Sequence, residues 1–228
     1  MLLDTETVSK SKYSMQNYVF DYGCCILEKD EEKIKIVDKY NLIVKEIYDN
    51  KELMDNYYFG QEKLQTFYVN NEKNLTFCNF STLNKFINKI CNKYNINKIA
   101  AYNITFDIKS FQNTCDLLGA ENALANKECI DLYNKACHAL QGDENYIVYC
   151  VENDQLTEKG NIKSNAESVY GYINHNPNFV ESHTALDDCL IETEIYKWVL
   201  QKEKEEGTFY EESPSMSAWR LVQVRKKK

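Results

Sequence analysis

The chain has 228 residues, of which 43% are hydrophobic, so it is long enough to bury one substantial core. Its formal net charge of −8 argues against a broad basic surface wrapped around duplex nucleic acid, although a compact site can still bind one strand end. Nine scattered cysteines without a Cys-x-x-Cys motif argue against a disulfide framework and a thiolate zinc site. Because no apolar run approaches about 18 residues, we expect a soluble, cytoplasmic protein.

Two carboxylates follow the first apolar run of the chain. Residues 1–3 predict a buried strand that ends at Asp4-Thr5-Glu6-Thr7. Since side chains alternate along a strand, Asp4 and Glu6 should emerge on one face about 6.5–7 Å apart. Two acids so close repel each other unless a cation lies between them. Asp4 and Glu6 are therefore candidate metal ligands.

The next part of the chain predicts a hairpin followed by helices. Residues 8–17 predict a polar loop, and residues 18–26 and 34–37 predict two strands joined by a charged turn at 30–32. We expect the first strand to pair with this hairpin. Residues 45–70 predict one or two helices broken near Gly60. Ser81 is the predicted cap of an amphipathic helix from Thr82 to Tyr94.

A third carboxylate, Asp107, follows the predicted strand at 98–102 and opens a helix that Gly119 should close. One interpretation makes Thr105 the helix N-cap and Asp107 an acid favoured by the helix dipole. That interpretation accounts for Asp107, but it does not account for Asn103 and Phe106 in the same junction. The other interpretation makes Asp107 a third metal ligand.

A histidine and a carboxylate mark the start of the last predicted helix. A strand at 128–132 and several helices precede the stretch His183-x-Ala185-x-x-Asp188, from which a helix should run towards Lys204. On a helix, positions i and i+5 can border one pocket, and Ala185 is small enough not to crowd it. Such a pair suits a site where a metal-bound water is held and deprotonated. The alternative is a satisfied histidine beside two solvated acids.

Together the three stretches resemble the motifs of the DEDD 3′–5′ exonuclease superfamily, in its histidine-bearing DEDDh (DnaQ-like) branch. The residues that carry the resemblance are Asp4-x-Glu6, Asn103-x-x-Phe106-Asp107 and His183-x-Ala185-x-x-Asp188, in this order. The run 185–188 resembles the oligoribonuclease form of the third motif, and residues 164–181 resemble exonuclease-like proteins of bacteriophages. The resemblance covers roughly residues 1 to 204.

The resemblance implies an α/β protein with an RNase H-like fold. This fold has a mixed five-stranded sheet, flanked by helices, in which the first three strands are antiparallel. The hairpin near the start and the later alternation of strands and helices favour the same architecture. We expect an exonuclease domain at residues 1–206 and a C-terminal tail at residues 207–228.

The resemblance also implies a site with two Mg²⁺ or Mn²⁺ ions. Asp4 would bridge both ions, Glu6 and Asp188 would complete the first, and Asp107 would hold the second. His183 would be the general base that takes a proton from the attacking water.

Four further residues would contact the substrate if the resemblance holds. Asn103 and Phe106 would shape the pocket, and the main chain around Thr5 and Thr7 would contact the terminal nucleotide. The implied substrate is the 3′ end of a single strand.

Three functions remain open from the sequence. The first is a metal-dependent 3′–5′ exonuclease, encoded by a phage and acting in the host cytoplasm, that releases nucleoside 5′-monophosphates from single-stranded DNA. The second keeps this chemistry but acts on short RNA, as the oligoribonuclease-like motif allows. The third is a catalytically idle module that binds a nucleic-acid end or a polymerase.

The C-terminal tail has an unusual charge for this chain, because five of the last nine residues are basic. One interpretation is that Trp219 and Leu221 pack back on the domain while the lysines are solvated. The other is that the tail docks a polymerase or another replication partner, or steers the strand through phosphate contacts.

Overall fold

The computed structural model describes residues 1–9, 16–30, 33–55 and 62–223, except for the side chains of residues 62–66. Four predictions fall wholly or partly outside these ranges: loop residues 10–15, the helix break near Gly60, turn residues 31–32 and the basic run 225–228. No helix within the ranges is long and apolar enough to cross a membrane.

A mixed six-stranded sheet forms the centre of the protein, with the order β4-β3-β2-β1-β5-β6. The strands are β1 (Leu2–Ser9), β2 (Asn17–Lys29), β3 (Ile34–Val44), β4 (Phe77–Cys78), β5 (Lys98–Ala101) and β6 (Glu128–Asp131). The first three are antiparallel, as predicted, whereas β4 pairs in parallel with β3, and β5 and β6 follow β1 in parallel.

The sheet has one strand more than the five predicted. The additional strand, β4, has only two residues, which pair with Ile43 and Val44 at the end of β3. A strand so short cannot display the alternating pattern by which strands are predicted. The predicted loop at 8–17 is also too long, because β1 continues through Ser9.

Helices cover both faces of the sheet. In the described ranges they are α1 (Lys45–Tyr48), α2 (Lys51–Asp55), α3 (Glu62–Asn71), α4 (Phe80–Lys93), α5 (Ile104–Leu118), α6 (Leu132–Ala139), α7 (Glu144–Glu152), α8 (Ala166–Ile173) and α9 (Ala185–Glu206). Helix α4 begins before the predicted cap Ser81, because the Phe80 amide donates to the carboxylate of Glu46 and Asn79 is the extended N-cap residue.

The sheet separates two hydrophobic cores. Leu3 contributes to the first core, which includes residues of α4 and α5. Leu2 contributes to the second core, which includes residues of α6, α7, α8 and α9. Since neighbouring side chains of a strand point to opposite faces, Asp4 and Glu6 lie on the Leu2 side, towards α9.

Residues 207–223 fold back over the second core. The amide of Asp131, at the end of β6, donates to the Glu212 carbonyl at 2.7 Å. A 3₁₀ turn at Ala218–Leu221 then returns to α6. The residues of this segment that pack into or against the core are Tyr210, Ala218, Leu221 and Val222. Trp219, in contrast, is half-buried and lines a surface cleft.

Candidate metal centre

The first strand carries two acidic side chains to the face of the sheet that α9 covers. Strand β1 lies between β2 and β5, and Asp4 pairs with Gly23 of β2. Glu6 is only 4% exposed, and Asp4 is half-buried. The predicted placement of Asp4 and Glu6 on one face therefore agrees with the structure.

Asp107 lies in the first turn of α5 and is 2% exposed. Its Oδ1 atom accepts a hydrogen bond from the Thr5 hydroxyl at 2.8 Å, which ties α5 to β1. The N-cap residue of α5 is Asn103, not Thr105. Asn103 has left-handed backbone geometry, with φ of 70°, which asparagine adopts more readily than most residues. This residue turns the chain from β5 into the helix that carries Asp107.

His183 precedes the last helix and does not start it. Its φ is 54°, Thr184 is the extended N-cap residue, and α9 begins at Ala185. The predicted helix start at His183 is therefore wrong, and the i to i+5 geometry does not apply. One ligand atom each from Glu6, His183 and Asp188 nevertheless lies within 4.8 Å of the others. His183 thus comes close to Glu6 and Asp188 with a left-handed backbone and not through the spacing of a helix.

The two adjacent acids of α9 have different partners. Asp187 accepts hydrogen bonds from the hydroxyls of Thr184, at 2.8 Å, and Ser182, at 3.1 Å, and so stabilises the start of the helix. Asp188 points into the protein and is 9% exposed. Only Asp188 is therefore available to the cluster that contains Glu6.

Asp21 of β2 connects the start of α9 to other parts of the fold. Its Oδ2 atom accepts from the Ala185 amide at 3.3 Å and from the Tyr68 hydroxyl at 2.9 Å, and its Oδ1 atom accepts from Asn41. Asp21 is 1% exposed, and burial raises its pKa to about 6. Because both of its oxygens accept hydrogen bonds from these donors, we infer that Asp21 positions the start of α9 and is not a metal ligand.

The clustered carboxylates raise one another's pKa values. For Asp4 and Glu6, burial comes first and neighbouring acids second, and together they raise both pKa values well above the usual range. Burial is also the main reason that the pKa of Asp107 rises to about 7 and that of Asp188 to about 8. The site therefore holds negative charge at a high cost in the absence of a cation.

The donor set fits a hard divalent cation. No lysine or arginine in the described ranges forms an ion pair with Asp4, Glu6, Asp107 or Asp188. The Oδ1 atom of Asp188 is buried and has no hydrogen-bond partner in the described part of the chain. Buried carboxylate oxygens without donors are what Mg²⁺ and Mn²⁺ prefer as ligands.

Two further acids surround His183. The Nδ1 atom of His183 lies 4.0 Å from Glu181 Oε2, and the Glu181 amide donates to Glu167 Oε2 at 3.0 Å. Burial and the neighbouring Glu167 raise the pKa of Glu181 to about 7, whereas burial lowers the pKa of His183. Glu167 and Glu181 were not predicted as site residues, because their contact joins α8 to the segment before α9 and leaves no local pattern.

Glu192 is a further buried carboxylate of this region, and it was not predicted from the sequence either. It is 3% exposed, its Oε2 atom accepts from the Tyr102 amide at 3.1 Å, and it is the neighbouring charge that raises the pKa of Asp4 most. Its position was detectable, since it lies four residues after Asp188 and so on the same face of the helix.

The predicted substrate-binding residues lie around the same region. Phe106 is 39% exposed beside the buried Asp107, and Asn103 is exposed at the start of α5. Thr5 and Thr7 are buried, and the Thr5 hydroxyl is occupied by Asp107.

Comparison with known proteins adds a fold likeness. No protein-family model and no curated protein matches the chain. Among solved structures, it is similar to the crystal structure of cell-death related nuclease 4 (CRN-4), with a TM-score of 0.52 and 15% sequence identity. The match covers 92% of this chain but 64% of that chain, so this protein spans less than two thirds of its structural relative. The strand order and this likeness show that the fold is RNase H-like.

Proposed function

We propose that this protein is a metal-dependent 3′–5′ exonuclease that releases nucleoside 5′-monophosphates from single-stranded DNA. One observation carries the proposal: Asp4, Glu6, Asp107 and Asp188 form a cluster of buried and half-buried carboxylates that has no lysine or arginine ion-pair partner among the described residues, and His183 borders it. The fold likeness to a nuclease supports the proposal.

Asp4, Glu6, Asp107 and Asp188 would supply the carboxylate ligands of two Mg²⁺ or Mn²⁺ ions. When bound, such ions supply a nucleophilic water at neutral pH and stabilise the charge that develops on the phosphate and the leaving oxygen. The protein contributes fixed ligands, because β1, α5 and α9 hold these carboxylates in buried or half-buried positions.

His183 would accept the proton of the attacking water. Since burial lowers its pKa, the imidazole is neutral near pH 7 and available as a base. Its distance of 4.0 Å from Glu181 lets that acid stabilise the imidazolium that forms after proton transfer.

Phe106 would stack on the base at the 3′ end of the strand. Its ring is exposed one residue from the buried Asp107, and aromatic rings bind unpaired bases without reading their sequence. Asn103 at the same junction would contact the terminal nucleotide through its exposed amide.

A hydrolysis assay tests the proposal. Single-stranded DNA labelled at its 5′ end is incubated with the wild type, Asp107→Asn or His183→Ala, in the presence of Mg²⁺, Mn²⁺ or EDTA. We expect a ladder that shortens from the 3′ end, mononucleotide products, and no reaction in EDTA or with Asp107→Asn. Internal cleavage products, or equal activity of Asp107→Asn, would contradict the proposal. The same assay with RNA of equal length tests the substrate class.

A further inference from the structure

A second cleft lies between the loop that precedes α8 and the C-terminal 3₁₀ turn. It encloses about 430 Å³, within the range of small-molecule sites. Its walls are formed by Tyr133, Thr157, Asn161, Ile162, Lys163, Ser164, Asn165 and Trp219. None of these residues belongs to the carboxylate cluster.

Two aromatic side chains from different elements face this cleft. Trp219 comes from the C-terminal turn and Tyr133 from α6. Tyr133 is held in place, because its ring packs edge-on against Tyr102 at 5.4 Å and its hydroxyl lies 3.3 Å from the Ser164 hydroxyl. Half-buried aromatic rings of this kind are the usual platforms for unpaired nucleobases.

The cleft is formed before any ligand arrives, because Gln223 joins its two walls. The side-chain oxygen of Gln223 accepts from the Ile162 amide at 2.9 Å. Its side-chain nitrogen donates to the Ile162 carbonyl at 3.1 Å and to the Trp219 carbonyl at 2.9 Å. A ligand therefore meets walls that are already fixed, which reduces the entropy cost of binding.

The polar groups of the cleft suit a ligand that combines a flat ring with an anion. No aspartate or glutamate of the described residues lines it, although the chain has a net charge of −8. Lys163 supplies a cation, the Asn161 amide can pair with a base edge, and the Arg220 guanidinium lies 5.5 Å from the Trp219 ring centroid. A larger groove near the tail contrasts with it, because three glutamates, Glu206, Glu211 and Glu212, line that groove.

Two short connections join this cleft to the carboxylate cluster. The Tyr102 hydroxyl donates to the Ser164 carbonyl at 2.6 Å, and the Tyr102 amide donates to Glu192, which neighbours Asp4. Asn165 lines the cleft and is two residues from Glu167, whose carboxylate accepts from the segment that carries His183. A strand that enters the cleft is thus close to the candidate metal centre.

We propose that this cleft binds a nucleotide of the substrate strand, 5′ to the bond that is hydrolysed. The base lies against Trp219 and Tyr133, and Lys163 contacts a phosphate. This inference rests on the proposed function for the identity of the strand, but binding in the cleft is separate from hydrolysis at the carboxylates.

Fluorescence of Trp219 tests the cleft directly. The substitution Trp198→Phe leaves Trp219 as the remaining tryptophan, and EDTA prevents hydrolysis. We expect pentathymidylate to quench Trp219 and thymidine 5′-monophosphate to bind more weakly, because it offers one base and one phosphate. If neither pentathymidylate nor thymidine 5′-monophosphate quenches Trp219, the proposal is wrong.

Two charge reversals in the same loop, one in the cleft and one outside it, give a test and its matched control. Lys163→Glu should weaken pentathymidylate binding about tenfold and lower the salt dependence, because a phosphate contact becomes a repulsion. Lys159→Glu, an exposed position of the same loop that does not line the cleft, should stay within about twofold of the parent protein. Equal effects of both substitutions would mean that only overall charge matters, and the cleft would be excluded.

Failure of the two proposals can be told apart. If Trp219 is quenched and Lys163→Glu weakens binding while no metal supports hydrolysis, the exonuclease proposal is wrong and the cleft remains. If Mg²⁺ or Mn²⁺ supports hydrolysis and Lys163→Glu changes neither binding nor KM, the cleft proposal is wrong and the exonuclease remains.

Discussion

Gly23 lies so close to Ala185 that a Cβ atom on Gly23 would be 2.3 Å from the Ala185 carbonyl carbon. Gly23 pairs with Asp4 on the neighbouring strand, and Ala185 begins the helix that carries Asp188. This backbone contact therefore sets how closely α9, which carries Asp188, approaches the sheet beside Asp4.

A side chain at position 23 should displace the start of α9. We expect Gly23→Ala to lower the free energy of unfolding by about 1–3 kcal/mol, because the backbone must move to accept the methyl group. It should also weaken Mn²⁺ binding measured by calorimetry. Gly119→Ala is the control, since its φ of 63° makes it strained by about 1–2 kcal/mol at a helix end away from the cluster. Loss of Mn²⁺ affinity in both variants would argue against a specific role for the Gly23 contact.

Removing one charge of the cluster should have opposite effects on activity and stability. In Asp188→Asn, hydrolysis should fall below detection while the metal-free melting temperature above pH 8 is unchanged or higher, because the repulsion of a buried, deprotonated carboxylate is relieved. Asp154→Asn removes an exposed charge and should change neither quantity. A metal-free melting temperature that falls in Asp188→Asn would show that its carboxylate is stabilising without an ion.

The metal-free protein should lose stability as the pH rises. Burial and neighbouring acids raise the pKa values of Asp107 to about 7 and Asp188 to about 8, so the folded state binds their protons more tightly than the unfolded state. This contribution is fully present below the unfolded pKa and disappears through pH 7–8. We expect the melting temperature in EDTA to fall across that interval.

Mg²⁺ should reverse this trend, because it binds the deprotonated carboxylates. His183 acts in the other direction: its lowered pKa means that stability is lost as the pH falls and the imidazole becomes charged. A melting temperature in EDTA that rises through pH 7–8 would contradict the assignment of the cluster.

His183→Ala should separate proton transfer from metal binding. We expect the hydrolysis rate at neutral pH to fall by about a hundredfold or more, with Mn²⁺ affinity retained. The measurement is a single-turnover rate beside a calorimetric titration. A matching loss of affinity would make His183 a ligand, and a rate within a few-fold of the wild type would leave it without a catalytic role.

A buried ion pair away from the metal centre anchors the C-terminal segment. Lys135 Nζ lies 2.6 Å from Glu203 Oε1, with side chains 4% and 5% exposed, and both residues hydrogen-bond the main chain of Tyr210. Lys135→Met should destabilise the fold by about 3–5 kcal/mol, because Glu203 is left unpaired. The double variant with Glu203→Leu should recover part of this loss in denaturant titrations. No recovery would mean that the Tyr210 contacts dominate.

The parts of the fold that sequence reasoning predicted are those with local patterns. The placement of Asp4 and Glu6 on one face of the first strand and the strand-to-helix junction at Asp107 follow from side-chain alternation and from helix start and stop signals, although β1 continues to Ser9 instead of ending at the two acids. Strand β4 was not predicted, because two residues are too few to show the alternation of apolar and polar side chains. Its pairing depends on the position of β3, which is a tertiary relationship.

The surroundings of His183 could not be predicted from the sequence. A left-handed backbone at a histidine has no sequence signature, so the helix was extended over residue 183. Glu167 and Glu181 approach it through a contact that spans 14 residues, and nothing local indicates it. Glu192 is a different case, since its spacing of four residues from Asp188 is visible in the sequence and places both acids on one face of the helix.

The hydrogen bond from the Ala185 amide to Asp21 joins positions 164 residues apart in the chain. The Tyr68 hydroxyl donates to the same carboxylate. Both hydrogen bonds can therefore form only after β2, α3 and the start of α9 have packed together. Contacts of such long sequence separation form late in folding, because closing a long loop is entropically expensive. During synthesis, the ribosome must therefore release most of the chain before His183 and Asp188 can reach Glu6. During refolding, we therefore expect Mn²⁺ binding to appear later than the circular dichroism signal of the helices.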